Sequence, residues 1–169
     1  MRFTELLRTT ILLSGVAATA LALVTLGAAT GDRAENIVWL SAGWWIIATL
    51  IGTYLGRHHD ATPPIARLLA ESKAATMMPE HRPGAAILNR LWPLLLSTIA
   101  AGGLAVVAPQ IPGIATGFAI IWALSWRRQH RAVQAIEERD GVTFYLDPTS
   151  PLKPIRLVRT PGFRREVPS

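Results

Sequence analysis

The residues best suited to chemistry stand together in the stretch RHHD, where Arg57, His58, His59 and Asp60 follow a long apolar run. Histidine and aspartate are common zinc ligands, but a zinc site needs three or four ligands that converge on one point. Adjacent side chains diverge on a helix and point in opposite directions on a strand, so only one of the two histidines would readily join Asp60 at a metal. The stretch is therefore interpreted as the polar boundary of an apolar segment, and no metal or cofactor is predicted.

Other residues that could take part in catalysis are few. The chain has no cysteine, which excludes disulfides, thiolate nucleophiles and thiolate metal sites. Glu80, His81 and His130 are further candidate ligands, but no regular spacing relates them to the RHHD stretch. No catalytic residue is predicted. A metal-dependent enzyme at the membrane surface, using His58, His59, Asp60 or His81, is kept as an alternative.

Four apolar segments make up most of the remaining sequence and must position these residues. They cover residues 9–28, 37–56, 91–108 and 111–126, and none contains Asp, Glu, Lys, Arg or His. A helix rises 1.5 Å per residue, so about 20 residues cross the ~30 Å hydrocarbon core of a bilayer. We therefore predict an all-α integral membrane protein, with a four-helix transmembrane bundle in residues 1–126 and a cytoplasmic tail in residues 127–169.

Two parts of this layout have alternatives. Residues 91–126 hold two segments and a proline-containing turn, which leaves about 16 residues for each segment, slightly short for a crossing. A re-entrant hairpin is therefore the alternative to two full crossings. The first segment could also be a signal peptide, although its apolar core, residues 11–26, is long for one. Neither alternative changes the rest of the topology.

Positive charge sets the predicted orientation, because the cytoplasmic connections of membrane proteins carry an excess of Arg and Lys. Of the 17 basic residues, all but Arg33 lie at the amino end, in the loop 57–90 or in the tail 127–169. We therefore place both termini, this loop and the tail on the cytoplasmic side of a bacterial inner membrane.

The apolar segments contain no ionisable residue, and this excludes several functions. Proton-coupled exporters need a membrane-embedded carboxylate, intramembrane proteases need paired aspartates or a serine–histidine pair, and voltage sensors need rows of arginine. Helix packing remains, since small residues four apart let helices approach closely. Trp44 and Trp45 are also expected to pack between helices. The small residues predicted to allow the close approach of helices are Gly52 and Gly56 in the second segment and Gly113 and Gly117 in the fourth.

The tail carries further secondary-structure signals. The run RRQHRAVQAIEERDG is predicted to continue the fourth helix beyond the membrane until Gly141. VTFYL and IRLVR then alternate apolar and polar residues on either side of a proline-rich turn, a pattern typical of a β-hairpin. In the loop, Thr62 and Pro63 predict the start of a short helix that covers residues 63–75.

A lone hairpin is marginally stable in water, so its apolar face must be covered. The short helix, the lipid headgroups, a second copy or another protein could cover it. Arginines close to a membrane also attract anionic headgroups. No base-stacking platform or groove-reading motif accompanies them, so nucleic-acid binding is not predicted. The predicted interaction residues are Phe144, Tyr145, Arg156 and Arg159.

The run AIEERDGVTFYLDPTSPLKPIRLVRTPGFRR, after GFAIIWALSWRRQ, resembles the carboxyl end of small, uncharacterised multi-span membrane proteins of high-GC, actinobacterial-type bacteria. The resemblance covers residues 89–165 and brings no catalytic motif, so it implies location and layout. We expect a non-enzymatic protein that acts in assembly, scaffolding or regulation of a membrane complex. Its expected partners are anionic lipids and either another protein or a second copy. A small transporter or channel formed between copies is the alternative.

Overall fold

The computed structural model describes residues 1–29, 34–57, 61–74, 83–147 and 155–161. These residues are mostly helical and include one small β-sheet. The helices are α1 (Phe3–Ala28), α2 (Ala34–Gly56), α3 (Pro63–Ala70), α4 (Pro83–Gly103) and α5 (Gln110–Asp140), and the strands are β1 (Lys73–Ala74), β2 (Val142–Leu146) and β3 (Leu157–Pro161).

Three stretches are long and apolar enough to cross a membrane, as expected of a membrane protein: α1, residues Glu35–Gly56 of α2, and Ile87–Val106 at α4. α5 is not among them. Its apolar part ends at Trp126, and Arg127 and Arg128 follow within the same helix. The prediction of long apolar helices able to span a membrane is therefore confirmed for three helices, and the four-crossing layout stays a prediction.

The ends of α4 differ from those predicted. The helix starts at Pro83, inside the loop predicted over residues 57–90, and ends at Gly103 before a 3₁₀ turn, Leu104–Val106. The ends differ because hydropathy identifies only the stretch that matches the bilayer core. The helix itself continues for as long as its backbone hydrogen bonds can form. Pro83 is suited to the first position, where the N–H that proline lacks would have no helical partner. Pro93 lies inside α4 and removes one backbone bond there.

α5 is the centre of the bundle, and α1 and α2 pack along it more extensively than α4 does. Gly113, near the start of α5, lies beside Thr25 near the end of α1 and beside Ser41 near the start of α2. α1 is therefore antiparallel to α5, while α2 runs parallel to it. No side chain could replace Gly113 without meeting both neighbours, since an added β-carbon would lie 2.5 Å from Ser41 Oγ and 3.3 Å from Thr25 Cγ2.

The contact between α2 and α5 contains all four glycines predicted to serve helix packing. A β-carbon on Gly117 would overlap the indole ring of Trp44, and one on Gly52 would approach Leu124 Cδ1 to 2.7 Å. Gly56 packs more loosely, with the Leu124 carbonyl oxygen 3.8 Å from its β-position. The missing side chains thus let a tryptophan from α2 and a leucine from α5 fill the space between the helices.

Two tryptophan side chains fix the position of α2 along α5. The indole N–H of Trp44 donates to the backbone carbonyl of Ile114 at 3.0 Å, and that of Trp45 donates to the carbonyl of Gly113 at 2.8 Å. A polar group at membrane depth needs an internal partner, and both indoles have one. The prediction that both tryptophans pack between helices is confirmed.

At one end of the bundle, the start of α1, the short helix α3, the end of α5 and the sheet enclose a hydrophobic core. We call it the end core. Its fully or nearly buried members are Met1, Phe3, Leu6, Leu7, Ile65, Leu69, Val133, Phe144, Leu146 and Leu157. α5 reaches this core as one continuous helix and ends at Gly141, whose left-handed conformation (φ 61°) favours glycine.

The predicted hairpin is confirmed: β2 and β3 are antiparallel, with Phe144 opposite Arg159 and Leu146 opposite Leu157. The sheet also contains β1, which the sequence did not predict and which pairs in parallel with β3. The prediction of a helix over residues 63–75 is wrong at its carboxyl end. α3 stops at Ala70, because Lys73 and Ala74 find backbone partners on β3.

Candidate functional site

The protein's own chain covers the apolar face of the hairpin. The cover includes the short helix α3, which was one of the covers expected from the sequence. It also includes the start of α1 and the end of α5, which were not expected from the sequence. Phe144 and Tyr145 are only 3% and 5% exposed, so neither offers a docking surface. Arg156 and Arg159 are exposed. The argument that an uncovered hairpin needs a partner is therefore corrected, and the arginines remain the accessible part of the predicted interaction set.

The amino terminus covers the outer edge of the hairpin. Arg2 forms an antiparallel β-bridge with Tyr145, and the Leu146 N–H donates to the Met1 carbonyl oxygen at 3.1 Å. An open strand edge would otherwise pair readily with other chains. Burial lowers the pKa of the Met1 amino group, an effect that the charge of Glu5 opposes.

A groove of about 490 Å³ lies between the start of α1 and the end of α5, and we call it the polar groove. Burial raises the pKa of the Glu137 carboxyl in this groove, while the Phe144 N–H and the charge of Arg2 act in the opposite direction. Glu137 Oε1 accepts the Phe144 N–H at 3.0 Å and so connects strand β2 to the end of α5. The charged or titratable residues that line the groove are Arg2, Glu5, Arg8, His130, Glu137 and Glu138.

His130 lies on the same side of α5, and burial together with the nearby charge of Arg8 lowers its pKa. Its Nδ1 is buried and has no hydrogen-bond partner among the residues that the structure describes. Since the groove combines arginines and carboxylates, their charges largely compensate each other and leave no strong field for an ion. We interpret the groove as a structural connection between α1, α5 and the hairpin.

Glu137→Gln is expected to change how stability depends on pH. A carboxyl with a raised folded-state pKa stabilises the fold below its ordinary pKa and loses that contribution as pH rises through the folded-state value. Glutamine keeps an oxygen for the Phe144 N–H but cannot ionise, so the variant should gain stability relative to wild type as pH rises. Thermal unfolding between about pH 4 and pH 8 measures this difference.

The exposed Glu71, which is not among the residues that line the polar groove, provides the matched control. Glu71→Gln removes one carboxylate at a solvated position and should leave the slope of stability against pH close to that of wild type. Equal slopes for Glu137→Gln and wild type would contradict the role given to Glu137.

Within the part of the chain that the structure describes, no three His, Asp or Glu side chains are grouped closely enough to hold a metal ion. His58, His59 and Asp60, as well as Glu80 and His81, lie outside the described residues. The alternative of a metal-dependent enzyme at this stretch therefore rests on the sequence alone.

A second groove, of about 400 Å³, lies between the carboxyl end of α2 and the middle of α5. We call it the arginine groove. Its walls carry Arg57 from α2 and Arg127 and Arg131 from α5, while Gly52, Thr53, Gly56 and Leu124 form the rest of its lining. Beside it, Arg128 Nη1 donates to the Leu55 carbonyl oxygen at 3.0 Å and links the two helices. The sequence did not predict this site, although positive residues directly follow both apolar segments.

A third cavity, of about 470 Å³, lies between α4, α1 and α5. Leu21, Leu94 and Phe118 are among its apolar lining residues. The hydroxyl groups of Ser97 and Thr98 donate to the Leu94 carbonyl oxygen at 3.0 and 2.7 Å, so their protons point back to their own helix. The cavity exists because α4 packs sparsely on the other helices. Apart from Arg90, Ser97 and Thr98, the described residues that line it are apolar or aromatic.

Comparisons with protein-family models, with curated proteins and with solved structures found no match to this chain. The resemblance noted for residues 89–165 therefore stays a prediction, and function must be argued from the chain itself.

Proposed function

We propose that this is a non-enzymatic, multi-pass protein of a bacterial inner membrane that acts in assembly, scaffolding or regulation of a membrane complex. We further propose that α4 is the helix that contacts the partner. The observation that supports this is the poor packing of α4 within its own chain. Only 6% of its apolar stretch, Ile87–Val106, is buried, compared with 28% for α1.

The surface of α4 suits contact with another membrane helix. Helices in a bilayer associate through close packing and not through the hydrophobic effect, because lipid tails are as apolar as leucine. Ser97, Ala100 and Gly103 are small and exposed at intervals of three residues, so a neighbouring helix could approach the α4 backbone there. The large exposed side chains Trp92, Leu96 and Ile99 on the same helix would then pack around that contact.

In this proposal, the distribution of basic residues decides which parts of the chain lie on each side of the membrane. Both termini and the end core lie in the cytoplasm, as the positions of the basic residues indicate. α5 completes a fourth crossing, with tilt or local thinning of the bilayer compensating for its short apolar part. Since α5 continues into the end core, the exposed Arg156 and Arg159 stay fixed relative to the bundle and would contact the cytoplasmic part of the same complex.

The proposal is tested by photo-cross-linking in native membranes. A photoreactive residue at Ile99, on α4, is expected to give a cross-link to a discrete protein. The same residue at Ile46, on the lipid-facing side of α2, should give lipid adducts only. Both side chains are well exposed, 72% and 64% respectively, so the probe itself should be tolerated at either position. If Ile99 also yields lipid adducts alone, α4 contacts no partner and the proposal fails.

A further inference from the structure

We infer that the arginine groove binds the phosphate group of an anionic phospholipid headgroup. Three arginines, two from α5 and one from the residue that follows α2, line one concave site of about 400 Å³. Arg127 and Arg131 are four residues apart on α5 and so lie on one face of that helix. Arg57 directly follows the last residue of α2 and completes the site from the other side.

The charge of the site calls for an anion. Among the described residues, none forms an ion pair with any of the three arginines, and none of those that line the groove is acidic. The carboxyl end of α2 contributes only a partial negative charge. The phosphodiester of a lipid headgroup has two non-bridging oxygens, which can accept two parallel hydrogen bonds from one guanidinium group. Further lone pairs on the same oxygens can accept a hydrogen bond from a second arginine.

The level of the groove relative to the membrane favours a lipid over a soluble anion. The apolar run of α2 ends at Gly56 and that of α5 at Trp126, so the arginines stand where both helices leave the hydrocarbon core. Basic pockets at this level between membrane helices suit lipid headgroups. Below the arginines, Gly52 and Leu124 form an apolar floor that faces the membrane interior and could receive the glycerol region.

Gly56 leaves space for this ligand. It lines the groove without a side chain, and the atom nearest to its β-position is the Leu124 carbonyl oxygen at 3.8 Å. The space beside Gly52 is instead filled by Leu124, whose Cδ1 lies 2.7 Å from the β-position of Gly52. A larger residue at position 56 would therefore extend into the groove.

The test measures retention of phosphatidylglycerol by the full-length protein in nanodiscs, followed by native mass spectrometry. Wild type is expected to keep bound phosphatidylglycerol in preference to phosphatidylcholine. The triple variant Arg57→Gln/Arg127→Gln/Arg131→Gln should bind it more weakly by a factor on the order of tenfold to a hundredfold. The matched control Arg67→Gln/Arg156→Gln/Arg159→Gln removes the same charge from exposed positions away from the groove and should retain the lipid.

Two results would overturn the inference. Equal loss of phosphatidylglycerol in both triple variants would show that net charge, and not the groove, attracts the lipid. Binding of inorganic phosphate to the protein in phosphatidylcholine nanodiscs, abolished by the groove variant, would identify a site for a soluble anion instead. If the triple variant does not fold, the single variants Arg131→Gln and Arg131→Lys replace it. The lysine variant should keep most of the binding and the glutamine variant should lose it, and equal binding by the two would contradict the inference.

Discussion

Gly117→Ala is expected to destabilise the bundle by about 2 kcal/mol, within the range of about 1–3 kcal/mol for overpacked cores. The new methyl group would occupy the space of the Trp44 indole. An aromatic ring on another helix cannot move aside as the end of a flexible chain can. Trp44 would have to shift and would lose the hydrogen bond from its indole N–H to the Ile114 carbonyl. Thermal unfolding in detergent, followed by circular dichroism, measures the loss.

Gly15→Ala is the matched control, because no described side chain or neighbouring helix lies within 4 Å of the β-position of Gly15, apart from its immediate chain neighbours. Alanine is favoured over glycine inside a helix by about 1 kcal/mol, so this variant should equal or exceed wild type in stability. In a Trp44→Ala background, Gly117→Ala should cost little further stability, since the clashing ring is absent. If Gly117→Ala is as damaging without the ring as with it, the explanation by overlap is wrong.

The membrane segments and the α2–α5 contact show what a local sequence pattern can predict. Apolar length and the absence of charge mark α1, α2 and α4, because a bilayer imposes both requirements on each segment separately. Small residues four apart mark one helix face without knowledge of the partner helix. Gly113 and Gly117 could therefore be assigned to packing from the sequence, but Trp44 could not be assigned to the space beside Gly117.

The sheet shows where sequence patterns fail. β2 and β3 are joined by a turn, and their alternation predicted the hairpin. β1 has only two residues, Lys73 and Ala74, and its partner strand lies far along the chain. Arg2 pairs with Tyr145 across almost the whole chain length. Such pairings depend on where the bundle brings the segments, so no pattern within Met1–Phe3 or residues 73–74 reveals them.

The same reason explains why the sequence did not show that Phe144 and Tyr145 are buried. Phe144 and Tyr145 have the residue types of a docking site, and an isolated hairpin would expose them. Leu7 and Val133 help to cover the apolar face of the hairpin. They belong to α1 and α5, whose sequences predict helices but not a contact with the hairpin. The arginine groove was missed in a similar way, since Arg57 and Arg131 become neighbours only when α2 and α5 pack in parallel.

Leu7→Ala is expected to lower the stability of the end core by about 3 kcal/mol, within the range of about 2–5 kcal/mol for such truncations. Leu7 is 1% exposed and belongs to the cluster that joins α1 to α3, α5 and the hairpin. Truncation would leave a cavity between these elements and free the hairpin to detach. Tryptic cleavage after Arg156 or Arg159 should then be faster than in wild type, which limited proteolysis measures directly.

Leu12→Ala tests whether this effect depends on the end core. Leu12 lies on the same helix but is 60% exposed, so its truncation should change stability by less than about 0.5 kcal/mol and leave the rate of cleavage unaltered. If Leu7→Ala is cleaved faster than wild type and Leu12→Ala is not, then α1 holds the hairpin of its own chain in place. If both variants were cleaved at the wild-type rate, α1 would not be what holds the hairpin. Lipid or another protein would then have to cover it, as the alternating sequence of the hairpin suggested.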